Sequence, residues 1–184
     1  RAHRPAAMTT TAQALPVAII GAGLAGLSCA QALVQGGYQV HVFDKSRGPS
    51  GRMSTRRAED TAGPWQCDHG AQYFTVRDPR FELALQTTPG LCRPWSANTV
   101  RVLDAAGRVV AASPLPKDAH WVAKPGMGSL VAAWAQPLQQ AGCLQTHTRV
   151  VRIEPDRMAP GSWQVCTQEA DGAQHVVAGF DAVL

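Results

Sequence analysis

Apolar and polar residues change period several times along this chain, and each change predicts an element. Val17 to Ile20 is a short unbroken apolar run, as expected of a strand covered on its faces. Leu24, Leu27, Ala30 and Val34 then recur at helical spacing, and Gly36-Gly37 supplies the stop. Val40 and Val42 alternate with polar Gln39 and His41, which predicts a strand facing one layer. The period is lost in the glycine-, serine- and arginine-rich loop after Asp44, and Trp65 to Thr75 fits no template. Residues 78–97 read as partly helical from Asp78-Pro79, with a break at Arg93-Pro94-Trp95. Val100–Leu103 and Val109–Ala111, joined through Asp104–Gly107, predict a hairpin. Pro125-Gly126-Met127-Gly128 opens a helix with Leu130, Trp134 and Leu138 on one face and Gly142 as its stop. Pro137 inside that helix is expected to kink it or end it early. From Leu144 onward short strands dominate: 144–146, 150–153, 163–167, 175–180 and 181–184.

The first three elements frame Gly21, Gly23 and Gly26 in a G-x-G-x-x-G pattern, and Asp44 ends the second strand. Each of these residues has a physical task in dinucleotide binding. Gly21 permits the tight turn off the strand, and Gly23 lets a pyrophosphate approach the backbone. Gly26 lets the helix lie close to the sheet, and the acid accepts hydrogen bonds from ribose hydroxyls. The helix N-terminus adds open N–H groups and partial positive charge. A buried hairpin or a signal peptide is the competing reading, since residues 12–34 carry no charge. Pro16 and the spaced glycines argue against it.

At 184 residues and 45% hydrophobic content, the chain can bury a sizeable core. The net charge of +4 is spread over scattered arginines, so a nucleic-acid surface is not expected and an anionic small molecule is. The five cysteines are odd in number, widely spaced and form no C-x-x-C, which excludes a disulfide framework and a structural zinc. A reducing, cytoplasmic setting and no membrane span follow as expectations. His41, His69, His120, His147 and His175 lack metal-ligand spacing, so no metal is expected. Residues 1–14 read as a disordered lead-in, with Met8 a candidate start. Residues 15–76 and 125–184 read as two parts of a nucleotide-binding domain, and 77–124 as a substrate-domain insertion.

Four segments carry a resemblance: 44–54 (DKSRGPSGRMS), 68–74 (DHGAQYF), 121–127 (WVAKPGM) and 148–153 (TRVVRI). Together they resemble renalase-like FAD-dependent oxidoreductases, relatives of the flavin amine oxidase superfamily, in the family's order over nearly the whole chain. The segment 68–74 is the most specific of the four. The resemblance implies an α/β fold: a Rossmann-like FAD-binding βαβ domain with an inserted, incomplete α+β substrate domain. Gly21, Gly23 and Gly26, with Ala22, Leu24 and Ala25 between them, would hold the FAD pyrophosphate. Asp44 and Lys45 would meet the adenosine ribose, and the backbone of Val150 the adenine. Gly51, Arg52 and Met53 occupy the superfamily's Gly-Gly-Arg region, where Arg52 would add positive charge beside the diphosphate. Gln72 and Tyr73 would lie near the isoalloxazine ring. Ser50 stands where the first glycine of that signature is usual, which requires a backbone without positive φ. The strand 180–184 resembles one in the middle of family members, so the chain reads as an N-terminal portion.

The implied activity is hydride transfer from a dihydronicotinamide or amine-like substrate to flavin, with reoxidation by oxygen. A nicotinamide dinucleotide is one candidate substrate. The alternative is a truncated, non-catalytic FAD- or nucleotide-binding fragment. No catalytic acid or base stands out. His69 beside Asp68 reads equally as a general base or as a buried structural histidine. Arg56 and Arg57 read as solvated loop residues. Trp65, Trp95, Trp121, Trp134 and Trp163 read as core or interface residues and not as stacking platforms.

Overall fold

The computed structural model describes residues 15–95, 100–113, 118–169 and 171–184. The lead-in expected over 1–14 lies outside them. Strand β1 (Val17–Ile20), helix α1 (Leu24–Gln35) and strand β2 (Val40–Phe43) form the expected βαβ start, with β1 and β2 parallel from Val17↔Val40 to Ile20↔Phe43. Helix α1 ends on a backbone motif: Tyr38 N–H donates to Leu33 O and Gly37 N–H to Val34 O, with Gly37 at φ +85°. Only a residue without Cβ adopts that left-handed turn at low cost. The buried face of α1 is Leu27 and Ala30, joined by Leu24 and Leu33; Val34, expected to join them, is 49% exposed.

After a 3₁₀ turn at Gly51–Met53 come β3 (Thr55–Asp60) and β4 (Gly63–Asp68), an antiparallel hairpin where a loop and an unassignable stretch were expected. Most of its side chains are exposed on both faces, so it carries no apolar alternation to read. Next follow β5 (Phe74–Thr75), α2 (Pro79–Gln86), β6 (Cys92–Pro94), the hairpin β7 (Val100–Leu103) and β8 (Val109–Ser113), and β9 (His120–Ala123). The break expected at Arg93-Pro94 is instead the edge strand of a sheet ordered β5-β9-β6, an edge being where proline is tolerated. Asp78 caps α2 by accepting from Arg80 N–H at 2.8 Å, with Pro79 opening the helix. The Arg80 side chain and backbone hold the Asp78 carboxyl down at about 2. The stabilisation it brings is therefore present above the ordinary carboxylate range and fades as pH falls towards about 2.

Helix α3 (Gly128–Gln140) continues past Pro137 and is not ended by it. The proline stands in the last turn, Ala141 N–H donates to Pro137 O, and Leu138 is anchored in the core. Strands β10 (Leu144–Gln145), β11 (Arg149–Pro155), β12 (Trp163–Gln168), β13 (Gln174–Phe180) and β14 (Ala182–Val183) complete the chain.

The parallel sheet is ordered β10-β2-β1-β14 and is covered on both faces. Val17, Ile19, Val40 and Val42 face α1 and α3, with Leu27, Leu130, Val131 and Trp134 fully or nearly buried between them. Ala18 and Phe43 face the antiparallel sheet β11-β12-β13, meeting Val165 and Phe180. His41 also meets Phe180 edge-on, so β2 does not face a single layer as its alternation suggested. Two-sided cover is the usual condition of parallel strands. Leu85 of α2 and Ala123 of β9 belong to the same core cluster as Leu27 and Leu130.

A Cβ on Gly26 would land on the carbonyl of Gly21, so the helix approaches the strand as closely as glycine allows. Gly26→Ala is expected to cost about 1–3 kcal/mol or more by overpacking, whereas Gly48→Ala, with open space around it, is near neutral. Leu130→Ala leaves a core cavity and is expected to cost about 2–5 kcal/mol. Denaturant unfolding of the three variants checks the order.

Candidate functional site

The buried carboxylate of Asp44 organises the end of the parallel sheet. Its Oδ2 accepts from Ala22 N–H at 2.6 Å and its Oδ1 from Ser46 N–H at 2.7 Å. Gly21, at φ +103°, makes the turn off β1 and donates to Phe43 O at 2.7 Å. The first turn of α1 carries neither a side-chain cap nor an acid, which leaves its N–H groups open to an anion.

Three loops far apart in sequence converge here. Gly51, at φ +54°, lies against Gly23; a Cβ on Gly51 would stand 3.1 Å from the Gly23 Cα. Arg52 O accepts from Ala71 N–H at 2.7 Å, and a Cβ on Gly70 would strike that same carbonyl. The positive φ therefore falls on Gly51, while Ser50 stays extended at φ −169°, which a serine adopts freely. Ala22 and Met53 are buried, Gly23 and Leu24 half-buried, and Ala25, Lys45, Arg52, Gln72 and Tyr73 exposed. Val150 is half-buried against the Ala18–Phe43 cluster, two residues beyond Thr148, whose N–H donates to Asp44 O at 2.9 Å. Lys45, His147 and Arg149 line a pocket of about 380 Å³ beside it.

A cleft of about 890 Å³ is lined by Arg47, Arg56, Arg57 and His69 among others, with no carboxylate in its lining. None of Gly21, Gly23 and Gly26 lines it; Gly51 belongs to both regions. Arg56 and Arg57 are thus strand residues on a basic cleft and not members of a solvated loop. Arginines lining one cleft without a carboxylate favour an anion there.

Asp68 and His69 do not form a pair with each other. Asp68 Oδ1 accepts from Thr55 Oγ1 at 2.5 Å and from Met127 N–H at 2.9 Å, and Thr55 Oγ1 accepts from Gly128 N–H at 3.0 Å. This latch joins both strands of the hairpin to the start of α3, and Gly126 fits beside it because a Cβ there would stand 2.6 Å from Thr55 Oγ1. His69 is exposed, with Nε2 3.0 Å from Ser54 Oγ, so it is not a buried structural histidine. Sequence reasoning missed Thr55 altogether; its only signal was a β-branched residue opening an otherwise polar strand. Burial raises the Cys92 thiol above its usual value, which keeps it protonated and unreactive. Among the described residues no group of three or more His, Cys, Asp or Glu is arranged to hold a metal, and no helix is long and apolar enough to cross a membrane.

Residues 19–86 match the family model of an NAD(P)-binding Rossmann-like domain. The fold is Rossmann-like. Among solved structures, 2,6-dihydroxypyridine-3-hydroxylase from Arthrobacter nicotinovorans superposes with a TM-score of 0.51 at 18% identity, covering 90% of this chain and 35% of that one. A tRNA 5-methylaminomethyl-2-thiouridine biosynthesis bifunctional protein from Magnetococcus marinus is 29% identical over 202 residues, 91% of this chain. An L-amino-acid oxidase from Sistrurus catenatus edwardsii is 43% identical over 53 residues. The chain spans 29% and 10% of the lengths of these two relatives.

Asp68→Ala strips the latch of its acceptor and leaves Met127 N–H unpaired, at an expected cost of about 1–3 kcal/mol. Asp44→Ala, which frees the buried Ala22 N–H and the Ser46 N–H, is expected to cost about 1–3 kcal/mol. Urea unfolding measures both; a Thr55→Val change that costs less in the Asp68→Ala background than in wild type would place the two residues in one network.

Proposed function

We propose that this chain is the nucleotide-binding part of an FAD-dependent oxidoreductase, with the renalase-like type as its finer assignment. One observation carries the reading: Gly23 and Gly51, with Arg52 next in the chain, meet beside an uncapped helix N-terminus whose entry turn is held by the Asp44 carboxylate. That cradle fits a pyrophosphate, since close backbone approach, open N–H groups and a cationic side chain are what a pyrophosphate needs. Gly21 to Gly26 and Arg52 would hold the diphosphate, Asp44 and Lys45 the ribose, and Val150 the adenine end. Both Asp44 oxygens already accept a backbone bond, and each retains a lone pair for a ribose hydroxyl.

Bound FAD supplies the acceptor for a hydride from a dihydronicotinamide or amine-like substrate, with oxygen reoxidising it. The chain's own residues bind and orient. The basic cleft of Arg47, Arg56 and Arg57 suits an anionic substrate such as a nicotinamide dinucleotide. The Thr55–Asp68 latch fixes the segment 68–73 against α3, which holds Gln72 and Tyr73 in place. His69, exposed on the cleft and bonded to Ser54, is available to move a proton at Nε2.

An absorbance spectrum after FAD loading and desalting tests the reading. Wild-type chain is expected to retain flavin. Gly23→Ala is expected to lose it at unchanged thermal stability, because its Cβ would make only an ordinary 3.7 Å contact with Gly51 while filling the phosphate approach. A colourless wild-type protein, or a Gly23→Ala protein that keeps its flavin, overturns the proposal.

A further inference from the structure

Four aromatic pairs in the described structure meet edge to face: His41–Phe180, Phe43–Phe180, Phe74–Phe81 and Phe81–Trp134, at interplanar angles of 68° to 88°. That is the geometry interior packing favours. Tyr73, His120 and Trp95 break the pattern. Tyr73 and His120 stack at a centroid distance of 3.7 Å and 12°, and Trp95 lies 6.0 Å from Tyr73 at 26° and 6.3 Å from His120 at 24°. The tryptophan read as a core or interface residue is 42% exposed, and Tyr73 is 39% exposed.

Strand register explains how they meet. Phe74 pairs with Trp121, Thr75 with His120 and Pro94 with Trp121, and Trp95 N–H donates to His120 O at 2.7 Å. Side chains alternate across a strand, so the sheet turns Phe74, Cys92 and Ala123 into the core and presents the three parallel rings on its other face. Arg93, two residues before Trp95, shares that face and is exposed. The three strands carry no acidic residue, and the neighbouring Asp118 is taken up by Arg77 at 2.7 Å. His120 Nδ1 has no hydrogen-bond partner, so stacking, not a hydrogen bond, sets that ring's plane.

We infer that Tyr73, His120 and Trp95 form a stacking subsite for a planar heteroaromatic ring, and that Arg93 recognises an anionic group attached to it. Near-parallel faces are what a flat π-system stacks on, and electron-rich rings favour an electron-poor or cationic heterocycle. The guanidinium selects a phosphate by paired N–H donors. The role given to the bound ring, substrate recognition by the inserted segment, rests on the oxidoreductase reading; the binding itself does not.

The test uses the full chain loaded with FAD, with nicotinamide mononucleotide as probe and ligand-observed saturation-transfer NMR as readout. Saturable binding is expected, weakened about tenfold or more by Trp95→Ala and largely preserved by Trp95→Phe, which keeps a flat ring. Arg93→Gln is expected to weaken the mononucleotide about tenfold and to leave nicotinamide riboside, which lacks the phosphate, unchanged. Flavin content, read in parallel, is expected to be the same in all variants. No saturable binding, or equal affinity in wild type and Trp95→Ala, overturns the subsite; equal weakening of both probes by Arg93→Gln overturns the anion assignment. A wild-type chain that binds the probe but retains no flavin supports the subsite and refutes only the oxidoreductase reading, so the two failures are separable.

Discussion

The site depends on one buried carboxylate at the end of a central strand. Asp44 takes the Ala22 N–H from the turn after β1 and the Ser46 N–H from its own loop, while its backbone bonds Gln145 and Thr148 on the far side. Three segments are therefore registered on one residue. A carboxylate with little water around it needs such donors to offset its desolvation, and the donors need it to stay in place. The glycine turn, the pocket at Lys45 and Arg149 and the start of β11 inherit their positions from that exchange.

Glycine does the complementary work of letting backbone reach backbone. Gly26 against Gly21 sets how near α1 lies to β1, and Gly51 against Gly23 brings the 3₁₀ turn onto the same end of the sheet. Gly70 against Arg52 then draws in the segment that leads to Gln72 and Tyr73. Side chains at any of these positions would push the loops apart. A surface with polar backbone groups close together and little bulk is suited to a phosphate-bearing ligand.

The two faces of the parallel sheet divide the labour. The helical side carries the larger core, continuous from Leu27 and Leu130 to Leu85 and Ala123, so α2 and β9 share the packing of the βαβ unit. The opposite side closes with Ala18, Phe43, Val165 and Phe180. Between hairpin and helix, the Thr55–Asp68 latch carries that rigidity into the 68–73 segment. The segment after Asp68 is thus tied to the same core that carries the glycine turn.

The βαβ start was legible because local rules and burial agree there: Gly21, Gly23 and Gly26 answer backbone needs, Gly37 terminates α1, and Leu130, Trp134 and Leu138 mark the buried face of α3 by spacing alone. The β3–β4 hairpin was not legible, because both its faces are largely solvated and no apolar period betrays it. Pro137 misled for a similar reason; propensity is local, and the anchoring of Leu138 in the core overrides it. Thr55 with Asp68, Arg56 and Arg57 on a cleft, and Tyr73 with His120 and Trp95 are pairings across 13 to 47 residues of chain. Sequence by itself determined the glycine turns and the buried stripes, since these follow from side-chain volume and φ/ψ preference residue by residue. Only the tertiary structure decided which polar and aromatic groups meet, because that depends on strand register and on how the loops close in space.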